Sequence, residues 1–268
     1  MTTGPYTGLA ATFDTAAELY EQVRPGYPGE LFDDLAQLSG HPGPGARVLE
    51  IGTGTGQATR SLLDRGWNVV TLEPGRELAA VARRVLAGRG AVEVVGSPFE
   101  QWVADGREPF DLVLAATSWH WLDPHVAYRR AAELLRPGGH LAIVATTHVC
   151  PAGGDDFFNQ VQPVYERLGL GDGSDGPEPP EAFADPDVEA IIGSGLFDPP
   201  VVRRYVWSQD YTADQYLALL STYSGHIAAS PGQREALFAE IRRMIAARPS
   251  GTVRKYYLNM LQTARRAD

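Results

Sequence analysis

The chain has 268 residues, 44% of them hydrophobic, enough for one large domain or one domain with a lid. A net charge of −10 and an isoelectric point near 5.1 give an acidic surface that repels phosphate backbones, which argues against nucleic acid as a partner. The single cysteine, Cys150, excludes an internal disulfide and suits a reducing cytoplasm; no basic-then-apolar leader opens the chain and no apolar run reaches about 18 residues, so a cytoplasmic protein without a membrane segment is expected.

In chain order, a helix is expected over residues 11–23, ending in the turn Arg24-Pro25-Gly26-Tyr27-Pro28. Arg24 is positioned to meet a carboxylate and Tyr20 to hydrogen-bond the same group. A helix over 28–39 leads to a first strand over 47–51, and then to Gly52-Thr53-Gly54-Thr55-Gly56-Gln57 at the start of a helix over 57–65. Glycines tolerate positive φ and leave no side-chain wall, so a ligand can lie against bare backbone. The helix N-terminus beyond them attracts polar or anionic groups. Glu50, just ahead of the first glycine, suits a cationic ligand end such as an ammonium group and suits a pyrophosphate poorly. A second strand over 68–72 ends at Glu73, where an acidic side chain can accept hydrogen bonds from both hydroxyls of a ribose. The dinucleotide fingerprint asks for a third glycine where Gln57 stands, which weighs against a nicotinamide cofactor.

A helix over 76–86 and a strand over 91–95 lead to Gly96-Ser97-Pro98-Phe99. A fourth strand over 110–115 is followed by Ala116 and Thr117-Ser118-Trp119-His120-Trp121. A histidine of near-neutral pKa between two indoles suits a flat or aromatic ligand and makes His120 the candidate general base. If the segment is extended, the indoles have opposite faces and one of them belongs to the core. A helix over 126–135 and a strand over 140–145 follow, joined by Leu134-Leu135-Arg136-Pro137-Gly138-Gly139. Short apolar runs broken by helical patterns mean a parallel sheet covered on both faces, with the ligand beyond the carboxyl ends of the strands. Gly52, Glu73, Ser97 and Ala116 all fall at those ends.

The composition shifts over 151–200, where a Gly, Asp and Pro-rich loop (169–180) separates helices expected over 156–168 and 187–193, an insertion over the site. A strand over 201–209, helices over 212–224 and 231–247 with Pro231 at a helix start, and alternation over 251–263 fit a late hairpin-like pair closing the sheet. His148, Phe157, Phe158, Tyr211, Tyr223 and His226 are further candidates for an acceptor pocket. Of the 23 basic residues only Lys255 is a lysine, a bias that reflects genome composition because the arginines are scattered.

On the loop from Glu50 to Gly56, Glu73 and the run Leu134 to Gly139, the chain resembles the class I S-adenosylmethionine-dependent methyltransferases. The resemblance is to their small-molecule branch (methyltransferase type 11, trans-aconitate methyltransferase-like), strongly over 12–146 and in layout over 200–265. It implies an α/β fold: a Rossmann-like, seven-stranded, mostly parallel sheet with helices on both faces, the last strand antiparallel, plus a helical lid. Residues 1–150 would hold the N-terminal cap helices and the cofactor-binding half, 151–199 the lid, and 200–268 the last two strands with their helices. The implied cofactor is S-adenosylmethionine, lying along Gly52, Thr53, Gly54, Gly56 and Gln57. Glu50, Tyr20 and Arg24 would face its methionine end, Glu73 its ribose, Pro74 its adenine and Ala116 its sulfonium. Such proteins often carry an acidic residue after the third strand to read adenine; here Ser97 and the backbone near Phe99 must serve. His120 would be catalytic, Tyr27, Trp119, His148, Phe157 and Tyr223 would bind substrate, and no metal is implied. The expected activity is methyl transfer to a small organic acceptor of the natural-product kind, by a monomer or homodimer. The competing readings are a nicotinamide-dependent oxidoreductase and a cofactor-binding protein without catalysis.

Overall fold

The structure is a computed structural model and describes residues 16–41, 43–171 and 173–267. The part of the expected N-terminal helix before residue 16 lies outside the described residues.

Strand β1 (Arg47–Ile51) sits mid-sheet between β2 (Asn68–Leu72) and β4 (Phe110–Ala116), parallel to both. β3 (Val92–Val95) pairs with β2, and β5 (Leu135–Val149) with β4, again in parallel. Successive side chains point to opposite faces. Leu49, Val113, Leu141 and Ile143 therefore build one apolar layer. Val48, Leu112, Leu114, Ala142 and Val144 build the other. Both layers are sealed by helices, so the central strands show continuous burial rather than alternation.

The helices follow the strands as expected. α1 (Ala17–Val23) and α2 (Gly29–Leu38) precede the sheet, α3 (Gln57–Leu63) follows β1, α4 (Arg76–Leu86) follows β2, and α5 (Pro124–Leu134) precedes β5. α5 starts on Asp123, whose carboxylate accepts from the His125 amide at 2.9 Å, with Pro124 in the first turn.

β5 continues well past the expected residue 145, because it pairs with β7 (Thr252–Arg265) from His140 opposite Arg265 to Val149 opposite Tyr256. β7 runs antiparallel to β5 and to β6 (Val201–Thr212). The seven strands lie in the order β3-β2-β1-β4-β5-β7-β6, and β7, last in sequence, is the reversed one.

The expected helix over 156–168 is two short ones, α6 (Phe157–Gln160) and α7 (Gln162–Arg167). Pro163, in the first turn of α7, lacks the N–H that would continue α6 into it. α8 (Val188–Gly193) completes the insertion. The helix expected over 212–224 ends earlier, as α9 (Ala213–Leu220), a separate short helix α10 (Ser224–Ala228) lies beyond it, and α11 (Pro231–Ala246) follows with a Ser230–Gln233 capping box. The two halves of the insertion join different cores. Phe157, Phe158 and Val164 pack with Tyr216, Leu237 and Ile241, whereas Ile191 and Phe197 pack with Trp119 and Tyr128. No helix among the described residues is long and apolar enough to cross a membrane.

Candidate active site

The turn after β1 rests on the end of β2: the Gly52 and Thr53 amides both donate to the Leu72 carbonyl, at 2.9 and 3.2 Å. Gly52 has φ +73°, and a Cβ there would lie 2.5 Å from the Ser118 Cβ. Glycine is therefore required by two things, the left-handed backbone and the close approach of the segment after β4. Between these segments lies a cavity of about 500 Å³, lined at its floor by Gly52, Thr53, Gly54 and Gln57. Gly56 does not line it. Its φ is +100° at the N-cap of α3, and a Cβ would press on Leu86 at 3.1 Å, so this glycine serves helix–helix packing.

Two acids line the cavity. Glu73 is buried; its Oε2 accepts from the Gly54 amide and its Oε1 from the Gly75 amide, both at 2.8 Å. These two amides hold the carboxylate rigidly at the cavity. Glu50 is also buried, and Thr59 Oγ1 donates to its Oε2 at 2.6 Å. Burial pushes the Glu50 carboxyl up to about 7, with the Glu73 charge adding to the shift and the Thr59 hydroxyl opposing it. A cation arriving at this carboxylate would restore its ionised form. The hydroxyl of Thr53, buried against the same cavity, makes no hydrogen bond among the described residues. These features fit a ligand with a cationic end and polar hydroxyls.

α1 closes one side. Glu18 pairs with Arg84 of α4 at 2.6 Å and Glu21 with Arg60 of α3, which ties the helix across the loop. The Arg24 guanidinium lies over the rings of Tyr20 and Tyr223 at 4.7 and 4.5 Å. Its Nε donates to Thr222 Oγ1 at 2.9 Å and its Nη2 to the Thr222 carbonyl at 2.8 Å, so this side chain is anchored to the C-terminal part of the domain.

After β4 the chain turns sharply. Thr117 has φ +58°, a strained conformation for a β-branched residue that costs about 1–3 kcal/mol. Its hydroxyl is hydrogen-bonded to Tyr27 Oη at 3.0 Å and to Thr146 Oγ1 at 2.9 Å, which holds the turn. Trp119 to Trp121 then form one 3-10 turn. Trp119 points into the core, 5.0 Å from the Tyr128 ring, and Trp121 takes the place at the cavity wall. Trp119, expected at the substrate, thus lies in the core while Trp121 lines the first cavity, because a 3-10 turn, unlike an extended segment, sends the two indoles to these separate places. His120 lies exposed at the cavity rim, 4.7 Å from the Trp121 ring. Crowding by protein lowers its pKa from the ordinary histidine value, and Asp187 at the start of α8 opposes that.

A second cavity of about 380 Å³ adjoins the first, and Tyr20, Arg24, Tyr27, Gln57 and Thr117 line both. Its far walls are Thr146, Thr147 and His148 of β5, Trp207 of β6, and Lys255 and Tyr257 of β7. The long pairing of β5, β6 and β7 past the ends of the other strands makes this wall.

The structure thus brings together Tyr20, Arg24, Tyr27, Glu50, Gly52, Thr53, Gly54, Gln57, Glu73, Pro74, Ala116 and His120 around the first cavity, and His148 and Tyr223 around the second. Besides Gly56 and Trp119, it places three more expected residues elsewhere. Ser97 turns its hydroxyl to the Pro98 carbonyl at 3.1 Å, Phe99 is buried in the core, and Phe157 packs against Phe158 and Tyr216. Beside Pro74 the wall is instead made by Gly75, Arg76 and Leu78. Sequence reasoning missed these, and also missed Trp207, Lys255 and Tyr257. A signal for the last two exists: Val253, Lys255 and Tyr257 occupy one phase of a strand and all three are buried.

A family model described as a methyltransferase domain matches residues 49–143, the span from β1 through β5. An uncharacterized methyltransferase of Mycobacterium tuberculosis is 31% identical over 248 residues, covering 90% of this chain and 88% of that protein. Among solved structures, a protein of Anaeromyxobacter dehalogenans provisionally assigned as a type II methyltransferase aligns with TM-score 0.59 at 23% identity, over 90% of this chain and 97% of the other. The cyclase SpnF aligns with TM-score 0.53 at 18% identity, over 98% and 96%. These two likenesses speak to the fold alone. The family match and the near full-length relative decide against the nicotinamide alternative: the chain belongs to the class I S-adenosylmethionine-dependent methyltransferases and is an enzyme of that class, with S-adenosylmethionine as its cofactor.

Proposed function

We propose that this enzyme methylates a small organic acceptor held in the second cavity, with the cofactor held in the first. The observation that carries the reading is the contact between the two cavities at Tyr27, Thr117 and Gln57. When bound, the cofactor supplies a methyl group on a sulfonium, already activated for displacement. Glu73 would accept from the ribose hydroxyls, Glu50 would neutralise the ammonium end, and Pro74, Gly75 and Leu78 would flank the adenine. With its sulfonium end towards Ala116 and Thr117, the bound cofactor would face an acceptor in the second cavity. Alignment of this kind can supply roughly 7–11 kcal/mol of the barrier.

His120 at the rim is the candidate base for an acceptor that must lose a proton, worth about 10²–10⁴-fold in rate. Residues 151–199 act in this reading as a lid, with Asp187 close enough to His120 to bias its protonation. A cavity of about 380 Å³ suits a natural product or similar small molecule better than a polymer. The net charge of −10 disfavours nucleic acid, and the lone cysteine fits work in the cytoplasm, as a monomer or homodimer.

The test is transfer of labelled methyl from S-adenosylmethionine into a metabolite extract, run beside a thermal-shift comparison of S-adenosylhomocysteine with NADH. Stabilisation by S-adenosylhomocysteine with a labelled small product supports the reading. Stabilisation without any labelled product points to cofactor binding without catalysis.

A further inference from the structure

Lys255 is the only lysine of the chain, and it is 4% exposed. It lies on β7 in the wall of the second cavity, with its Nζ 5.2 Å from the centre of the Phe158 ring and 5.3 Å from that of Tyr257. Among the described residues no carboxylate pairs with it. The cavity holds a second cation, Arg24, at its border with the first, and no aspartate or glutamate is among its lining residues. In a chain of net charge −10 this is a local reversal of sign. The neighbouring His148 has a buried Nε2 with no hydrogen-bond partner among the described residues, and its ring meets the edge of Phe158 at 4.5 Å. Trp207 and Tyr257, stacked at 4.8 Å with 24° between their planes, supply a flat apolar wall.

We propose that the acceptor is a planar aromatic acid whose carboxylate pairs with Lys255 while its ring lies along Trp207 and Tyr257 and a hydroxyl or amine on the ring faces the first cavity; that atom bonds to the methyl carbon as the carbon–sulfur bond breaks, S-adenosylhomocysteine leaves, and the acceptor's proton passes to solvent. The inference rests on the function proposed above and narrows its acceptor. A buried ammonium without a counter-ion is unfavourable, and cation–ring contacts offset that only in part. Burial first, and the Arg24 charge second, push the Lys255 ammonium well below the usual lysine range. Burial, helped by the Lys255 charge, also pushes the His148 imidazole down to about 2, so His148 is neutral and can serve the ligand only as a hydrogen-bonding group. An arriving carboxylate supplies the missing charge and favours the protonated amine. Arg24 is pinned by Thr222 and stacked between Tyr20 and Tyr223, so it sets the potential at the entrance while Lys255 sets it at the far wall. The other titratable groups lining the cavity are Tyr20, Tyr27, His148, Tyr223 and Tyr257.

A single lysine makes a direct test possible. The full chain is labelled with ¹³C at lysine Cε, loaded with S-adenosylhomocysteine, and titrated with benzoate, cinnamate and indole-3-acetate and with the primary amide of each. The expected result is that at least one acid binds about 10–100-fold more tightly than its amide, the scale of one hydrogen bond to a charged group. That acid, and not its amide, should raise the titration midpoint of the lone lysine signal. In Lys255→Met the preference for the acid should vanish while affinity for S-adenosylhomocysteine stays within about twofold. The proposal is overturned if acids and amides bind alike or none binds, if the lysine signal ignores the acids, or if the preference survives in Lys255→Met. It is also overturned if Lys255→Met loses S-adenosylhomocysteine, because the lysine would then serve the cofactor. Failure of the unaltered chain to bind S-adenosylhomocysteine would instead refute the proposed function itself, and the lysine signal in the unaltered chain needs no variant to fold.

Discussion

Replacing Glu50 with glutamine isolates one charge at the methionine end of the cofactor site. In the ligand-free protein, burial raises this carboxyl from its ordinary 4.5 to about 7. A raised folded-state pKa contributes stability that is fully present below pH 4.5 and is lost as the pH rises through 7. At pH 8 the ionised carboxylate therefore destabilises the free protein by about 3 kcal/mol, some 2.5 units at 1.36 kcal/mol each. Glu50→Gln keeps an oxygen to accept from Thr59 and removes the charge. Urea unfolding should show the variant more stable than the parent by up to about 3 kcal/mol at pH 8, with the difference shrinking towards pH 5. Binding should respond in the opposite direction. A cationic ligand end favours ionised Glu50, so affinity of the parent for S-adenosylhomocysteine should rise about tenfold from pH 6 to pH 8, close to 1.4 kcal/mol. The variant should bind more weakly at pH 8 and lose that slope. Calorimetry at several pH values measures both. A parent affinity that is flat across this range, together with a stability advantage of the variant over the parent no larger at pH 8 than at pH 5, would refute the reasoning.

Glu73→Ala should weaken S-adenosylhomocysteine binding by roughly 1–3 kcal/mol, the scale for removing a charge-assisted hydrogen bond; unchanged affinity by calorimetry removes the ribose role. His120→Ala should lower turnover by about 10²–10⁴-fold and leave cofactor affinity nearly intact, and full turnover across pH would make His120 a scaffold residue. Gly52→Ala puts a methyl group 2.5 Å from the Ser118 Cβ on a left-handed backbone, and should destabilise the fold by about 2–4 kcal/mol in urea unfolding. A neutral effect there would mean that the segment after β4 yields easily.

The sequence disclosed the first cavity better than the second. Glu50, the glycines and Glu73 are neighbours along two adjacent strand ends, so local pattern and strand order suffice to assemble them. The second cavity depends on how far β5, β6 and β7 run past the others, and that is set by long-range pairing, with β5 and β7 more than a hundred residues apart. Lys255 illustrates the difficulty. As one basic residue among 23 it suggested only genome bias, yet its place between buried Val253 and Tyr257 on alternate strand positions marks an inward-facing cation. Trp119 and Trp121 turned on the local backbone: alternation assumes an extended chain, and a 3-10 turn distributes the two indoles differently. The division of the helix over 156–168 was legible in Pro163. Gly56 has the positive φ that its motif calls for, but the space it leaves is filled by Leu86 from α4, a contact no local pattern contains.

The most direct test of the account is a crystal structure of the protein with S-adenosylhomocysteine. The account predicts its ribose on Glu73, its amino group towards Glu50, and its sulfur at Ala116 and Thr117 facing the second cavity. A ligand bound with its sulfur turned away from Thr117, or seated outside the cavity between Glu50 and Glu73, would contradict it.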